Sequence, residues 1–305
     1  MTRARPHALW LTLLALLFAA LGLCYAPGGP APGPRGGEVV SVLSWLPDAV
    51  VQAPEPFTVG RLAFMAFGAA WALGVWLPLS AWGASLAFLA VAALHQEARF
   101  AASHSAHLPA QLLVLLALWT HHERVALRAA LAEGRVWRTP LVAPWFWTAG
   151  RVLVGWFYTL AGVTKVMDSG WAWANGTSLQ LWVLAFGKRG SFAADLIMDH
   201  HAAALALQWV TLLAEVFALP LMLWRPTRAV VAGALVAFHI GQWAVFGYPF
   251  YGNLLALALF GLPLEAAVEA VRRRLEAPPS PWWAGRARSL AGRLRIFEPP
   301  GDDPG

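Results

Sequence analysis

Lys165 and Lys188 are the two lysines among the chain's 22 basic residues, and Lys165 stands where an apolar run ends, just before Asp168, Trp171 and Trp173. A guanidinium keeps its proton in proteins, whereas an ammonium moved into apolar surroundings gives its proton up readily. A composition this biased toward arginine fills purely cationic positions with arginine. A lysine retained at the end of an apolar run is therefore a candidate general base. The plainer reading is a lysine that snorkels to a membrane surface and pairs with Asp168.

Other polar side chains interrupt the apolar runs. Gln208, Thr211 and Glu215 recur at intervals of three and four residues, so they share one face of a helix. His239 and Gln242 share a face of the next apolar run. Counting ~1.5 Å of rise per residue places Glu215 and His239 at similar depth, where they could pair across two helices. That pair could equally be structural glue, a carboxylate satisfied by an imidazole. The same count sets Lys165 ~10 Å outward of Glu215 and argues against direct contact. His104 and His107 lie at i and i+3, with Gln111 four residues on. Two histidines so spaced could hold a metal, but no carboxylate or third histidine follows at ligand spacing, so no metal is expected. The pairs His121-His122 and His200-His201 fall at the ends of runs and read as solvated.

The elements that must position these groups are membrane helices. The chain has 305 residues, 59% of them hydrophobic and 12% charged, with 18 Trp and a mean hydropathy of +0.56. Soluble domains carry about 25% charged residues. Apolar runs near the ~20 residues that cross hydrocarbon occur at 8–26, 61–77, 79–95, 103–120, 146–165, 204–224, 229–246 and 251–270. The expected fold is an all-α polytopic bundle of about eight transmembrane helices. Arginine-rich segments alternate with poorer ones in a way that puts both termini in the cytoplasm. Leu77-Pro78-Leu79-Ser80 must be a tight turn, 27–37 a flexible outer loop, and 166–203 a long outer connection. Residues 1–275 form the membrane domain, and 276–305 a basic, Pro-rich cytoplasmic tail. The apolar run at 8–26 reads as a first helix rather than a cleaved leader, because it is long and Pro27 follows the small-residue site.

A sequence pI near 10.2 then bears on topology and anionic lipid, and no basic recognition element points to nucleic acid. The lone Cys24 excludes an internal disulfide and a cysteine zinc site. The bias toward alanine and arginine is that of a GC-rich bacterium, which places the chain in a bacterial cytoplasmic membrane with Lys165 facing outward.

The stretch Tyr158 to Leu179, YTLAGVTKVMDSGWAWANGTSL, resembles the hallmark of the vitamin K-dependent gamma-carboxylase-like superfamily, whose bacterial members are called horizontally transferred transmembrane domains. Ala161, Gly162, Lys165, Trp173, Gly176 and Thr177 fill the places of its pattern. TLLAEVFALPLML, with Glu215, resembles the family's glutamate-bearing helix, and the segment around His239 its histidine-bearing helix. Ser103-His104-Ser105 is loosely similar to an asparagine-histidine helix start, with His107 an equal counterpart. The resemblance covers about 95–265.

It implies that Lys165 deprotonates a lipid-soluble quinol, whose anion reacts with oxygen, and that His104 or His107 assists. Glu215, His239, Trp173 and Gln242 would line the substrate cavity. Thr164 departs from the carboxylase's second lysine, the interval from lysine to tryptophan is longer, and no large extramembrane domain is evident, so peptide carboxylation is not implied. The expected activity is quinol-dependent oxidoreductase or epoxidase-type chemistry, with a separate partner protein open. The competing expectation is a non-enzymatic scaffold or redox-partner subunit. A transporter is disfavoured by the lack of repeats.

Overall fold

The computed structural model describes residues 45–51, 53–98, 106–125, 144–188, 190–248 and 250–262. Every regular element among them is helical: α1 (Asp48–Val51), α2 (Pro54–Ala72), α3 (Leu79–Ala98), α4 (His107–His122), α5 (Pro144–Ser169), α6 (Thr177–Phe186), α7 (Phe192–Asp199), α8 (His201–Val216), α9 (Ala218–Leu223), α10 (Arg228–Phe246) and α11 (Tyr251–Phe260). A 3₁₀ turn at Gly170–Trp173 follows α5. The all-α expectation holds for the described residues. By internal contacts the chain divides after Leu262. The expected span at 8–26, the loop at 27–37, the boundary at 275 and the tail lie outside the described residues.

A turn does separate α2 from α3, but it spans 73–78 rather than the expected 77–80: Gly74 helps to end α2 in the left-handed conformation at φ 72°, and Leu79 and Ser80 already belong to α3. Two buried polar contacts fasten this hairpin to α4. The Trp71 indole donates to Thr120 Oγ1 at 3.1 Å, and the Ser85 hydroxyl reaches the carbonyl oxygens of Ala81 and Leu113, each at 2.9 Å. Packing of α4, α5 and α11 is aromatic: Phe146 lies 5.9 Å from Trp119 and 5.6 Å from Phe260, centroid to centroid.

Two differences from the expected elements matter for chemistry. First, α5 does not stop at Lys165 but continues to Ser169, which puts the lysine a full turn inside its helix. The connection at 166–203 is also mostly helical. α6 starts where the Asn175 side chain caps the Ser178 N–H at 2.9 Å, and α7 meets α8 at a bend of 106°.

Second, the apolar run at 204–224 is broken into α8 and α9. Pro220 has no N–H to return to the Val216 carbonyl, so the helical ladder loses a rung there. Thr159 on α5 fills the break: its hydroxyl donates to Val216 O at 3.4 Å and accepts from Leu219 N at 3.0 Å.

Glycines on either side of Thr159 let α5 come this close. A Cβ at Gly155 would sit 2.8 Å from Leu219 Cα, and one at Gly162 would sit 2.6 Å from Val216 N. Helices approach through such stripes of small residues wherever lipid gives them no hydrophobic reason to associate. Gly162→Ala is expected to lower stability by about 1–3 kcal/mol. The gain in helix propensity is worth at most about 1 kcal/mol, and the obstructing atom is backbone. A denaturant or thermal midpoint equal to or above that of the unaltered protein would contradict this.

By length and hydropathy, one described helix, α10, is sufficient to cross a membrane, and the pair α7–α8, bent by 106°, passes the same test only when taken together as one span. The helix breaks at Phe217, which divides the expected span at 204–224, and the remainder of the 251–270 run after Leu262 lies outside the described residues.

Candidate functional site

Gly162 and Lys165 are three residues apart and face the same way, so the approach that Gly162 permits carries Lys165 onto α8. There its Nζ forms an ion pair with Glu215 Oε2. The Glu215 side chain is 3% exposed and that of Lys165 25%. The carboxylate is therefore interior, and the amine reaches toward the surface.

The expected separation of these two residues is overturned. It assumed that Lys165 ended its helix and that the two helices met at ordinary spacing. The alternative pairing with Asp168 is not the one formed either, and Asp168 is exposed. Above the amine lies Trp173, its ring centroid 4.9 Å from Nζ. An indole face over an ammonium adds favourable electrostatics without removing a donor.

A second polar cluster lies deeper in the fold. Tyr158, two turns before Lys165 on α5, places its hydroxyl 2.6 Å from His239 Nε2 on α10. His239 Nδ1 is 3.1 Å from Gln242 Oε1, which fixes the tautomer: Nδ1 carries hydrogen, and Nε2 accepts from the phenol. Asn253 of α11 donates from Nδ2 to the phenolic oxygen at 3.3 Å. The rings of Phe238 and Phe250 flank the imidazole, each at 5.1 Å. His239 therefore pairs with Tyr158 rather than with Glu215, a correction that follows from Glu215 having turned to Lys165.

Gln208, two turns before Glu215 on α8, has a positioning role. Its Oε1 accepts from Gly176 N at 2.6 Å, and its Nε2 donates to Trp173 O at 3.0 Å and to Ser178 Oγ at 2.8 Å. Gly176, at φ 78°, lies against His201, and a Cβ there would come 2.7 Å from the imidazole. Gln208 thus fastens the segment that holds Trp173 over the amine. Gln208→Leu should leave the Gly176 N–H without a partner, at a cost of about 1–3 kcal/mol, while the Trp173 carbonyl keeps the Ser178 hydroxyl at 3.0 Å. It should also raise amide hydrogen exchange across 173–178, measured by mass spectrometry. Unchanged exchange there would show that the segment is held by something else.

The structure thus brings together Lys165, Glu215 and Trp173, and separately His239 and Gln242. His107 opens α4 half-buried, while His104 lies outside the described residues. Among the described residues, no group of three or more His, Cys, Asp or Glu is gathered to hold a metal ion. Tyr158 and Asn253 escaped notice in the sequence. The signal for Tyr158 was its seven-residue interval from Lys165, which on a helix is one face. Compared with protein-family models, curated proteins and solved structures, the chain matches none.

Proposed function

We propose that the chain is a bacterial multi-pass membrane protein, of about eight helices with cytoplasmic termini, that binds a lipid-soluble quinol. The Lys165–Glu215 pair is its base, as in the membrane core of the gamma-carboxylase-like superfamily that the sequence resembles. The observation that carries the reading is the interior carboxylate held by a lysine that is itself partly accessible. In hydrocarbon such ionisable pairs are costly and belong to function by default.

Membrane embedding is supported by the large apolar side chains left exposed along the helices, among them Trp156 and Leu160 on α5, Val210 on α8, and Ile240 and Trp243 on α10. Patches of that extent call for lipid or a partner.

The residues fit a quinol. The indole of Trp173 offers a face for an aromatic ring, and the amine beside it is a hydrogen-bond partner for a ring hydroxyl. Bound there, a quinol would supply an acidic hydroxyl and, once deprotonated, electrons for oxygen. The chain's own part is proton handling. The pair holds one proton, on nitrogen or on oxygen. With that proton on Glu215, the Lys165 amine takes the hydroxyl proton and becomes ammonium, so that each partner then carries one.

Purified full-length chain in lipid should consume oxygen with reduced menaquinone, and Lys165→Ala should abolish this. Equal consumption by Lys165→Ala would refute the assignment. The competing reading, a scaffold that anchors a partner, draws on the exposed Trp182, Leu184, Phe186 and Phe192 of α6 and α7. It predicts stable co-purification with another protein and indifference to Lys165.

A further inference from the structure

We infer that α6 seats in a membrane interface with its outward face among lipid acyl chains, which makes the α6–α7 hairpin a lipid-bound element. The inference rests on the proposed membrane embedding of the chain and on no part of the proposed quinol chemistry. Two features carry it: the inverted polarity of α6, and the place where the hairpin is fastened.

α6 turns its polar groups inward. Gln180 Nε2 donates to Ile197 O at 3.0 Å and to Met198 O at 3.2 Å, in the last turn of α7. The Ser178 hydroxyl donates to Trp173 O at 3.0 Å and accepts from Gln208 Nε2. The outward face beyond the first turn is Leu181, Trp182, Leu184, Ala185 and Phe186, and its four large side chains are 59–71% exposed. A helix facing water shows the opposite order, with polar residues outside and apolar ones against the core.

The hairpin is fastened to the end of a helix fit to cross a membrane. Between α6 and α7, Lys188 N donates to Val245 O at 2.6 Å and the Ser191 hydroxyl to Ala244 O at 2.7 Å. Val183, Ala194 and Ile197 bury together with Val245 at that end of α10. α10 has the length and hydropathy of a span, and Trp243 in its last turn is exposed. The apolar face of α6 thus lies at the end of that span. Charge agrees with this. Residues 177–187 carry none, and the first, the exposed Lys188, stands where the hairpin meets α10. An ammonium at the end of a span, where Trp243 and Tyr248 are exposed, suits phosphate headgroups and interfacial aromatics.

A protein partner is the competing occupant, and the make-up of the face is against it. Helices that pair in lipid approach through small residues or exchange hydrogen bonds, as α5 does through Gly155, Thr159 and Gly162. The outward face of α6 offers one alanine among four bulky side chains, and the Trp182 indole is its one hydrogen-bonding group. Its ten residues rise ~15 Å, half of the ~30 Å hydrocarbon core, so α6 seats in one leaflet without crossing. Interfacial helices bury an apolar face ~5–10 Å into the headgroup and acyl boundary. Because the Ser178 hydroxyl ties α6 to Trp173, the segment over the Lys165 amine is then held at the lipid boundary.

The test uses the full-length chain in lipid nanodiscs, with Cys24→Ser as the background. Leu181→Cys and Leu184→Cys each receive a nitroxide, and Ile240→Cys on α10 serves as the reference. Electron paramagnetic resonance reads collisions with oxygen, which concentrates in hydrocarbon, and with a water-soluble nickel chelate. Positions 181 and 184 are expected to lose nickel collisions and keep oxygen collisions, as 240 does. Frequent nickel collisions at 181 and 184, with 240 shielded, would overturn the inference and leave membrane embedding standing. Loss of both kinds of collision at 181 and 184 would mean that protein covers α6, and would overturn it too. Nickel collisions at all three positions would remove the membrane embedding together with the inference.

Discussion

Replacing Glu215 by leucine while Lys165 remains is expected to destabilise the protein by about 3 kcal/mol, read as a lowered midpoint of thermal or denaturant unfolding in lipid. The low end of the range for breaking a buried pair applies, because the lysine is a quarter exposed and can turn partly toward the surface. The cost arises from leaving an ammonium against apolar side chains, more than from the lost attraction. The double variant Lys165→Met/Glu215→Leu should therefore recover most of the stability, since two apolar groups of similar size can replace an ion pair at little cost. It should recover none of the quinol-dependent activity. Additive losses in the double variant would show that the two residues are not coupled, and with that the site would dissolve.

Lys165→Arg separates charge from proton transfer. A guanidinium keeps the positive charge and offers more donors to Glu215, but it does not give up its proton. Unfolding midpoints should stay close to those of the unaltered protein, while quinol-dependent oxygen consumption falls by about 10²–10⁴-fold, the contribution of a positioned general base. Full activity with arginine would leave Lys165 as an electrostatic anchor only.

Much of the site could be read from residue types, because ionisable and amide groups inside apolar runs are few. Lys165, Glu215, His239 and Gln242 stood out on that ground, and Trp173 through the family pattern. Their pairing could not be read. It depends on α5 running one turn beyond Lys165, on the missing side chains of Gly155 and Gly162, and on the rung that Pro220 removes, which Thr159 then fills. Each is a matter of how near two helices come, and depth counted along separate helices is blind to it. The hairpin of α2 and α3 was legible from Leu77-Pro78. The helices inside 166–203 were not, because Gly176, Gly187 and Gly190 read as loop, while their short apolar stretches lack a full span's length.

Because the chain has two lysines, [¹⁵N]lysine labelling gives two side-chain signals, and Lys188→Arg assigns them. In lipid nanodiscs, the Lys165 nitrogen signal should move in Glu215→Gln and again on adding reduced menaquinone, while the Lys188 signal stays in place. A Lys165 signal that ignores both changes and matches that of Lys188 would mean the amine is simply in water, and no base would remain at this site.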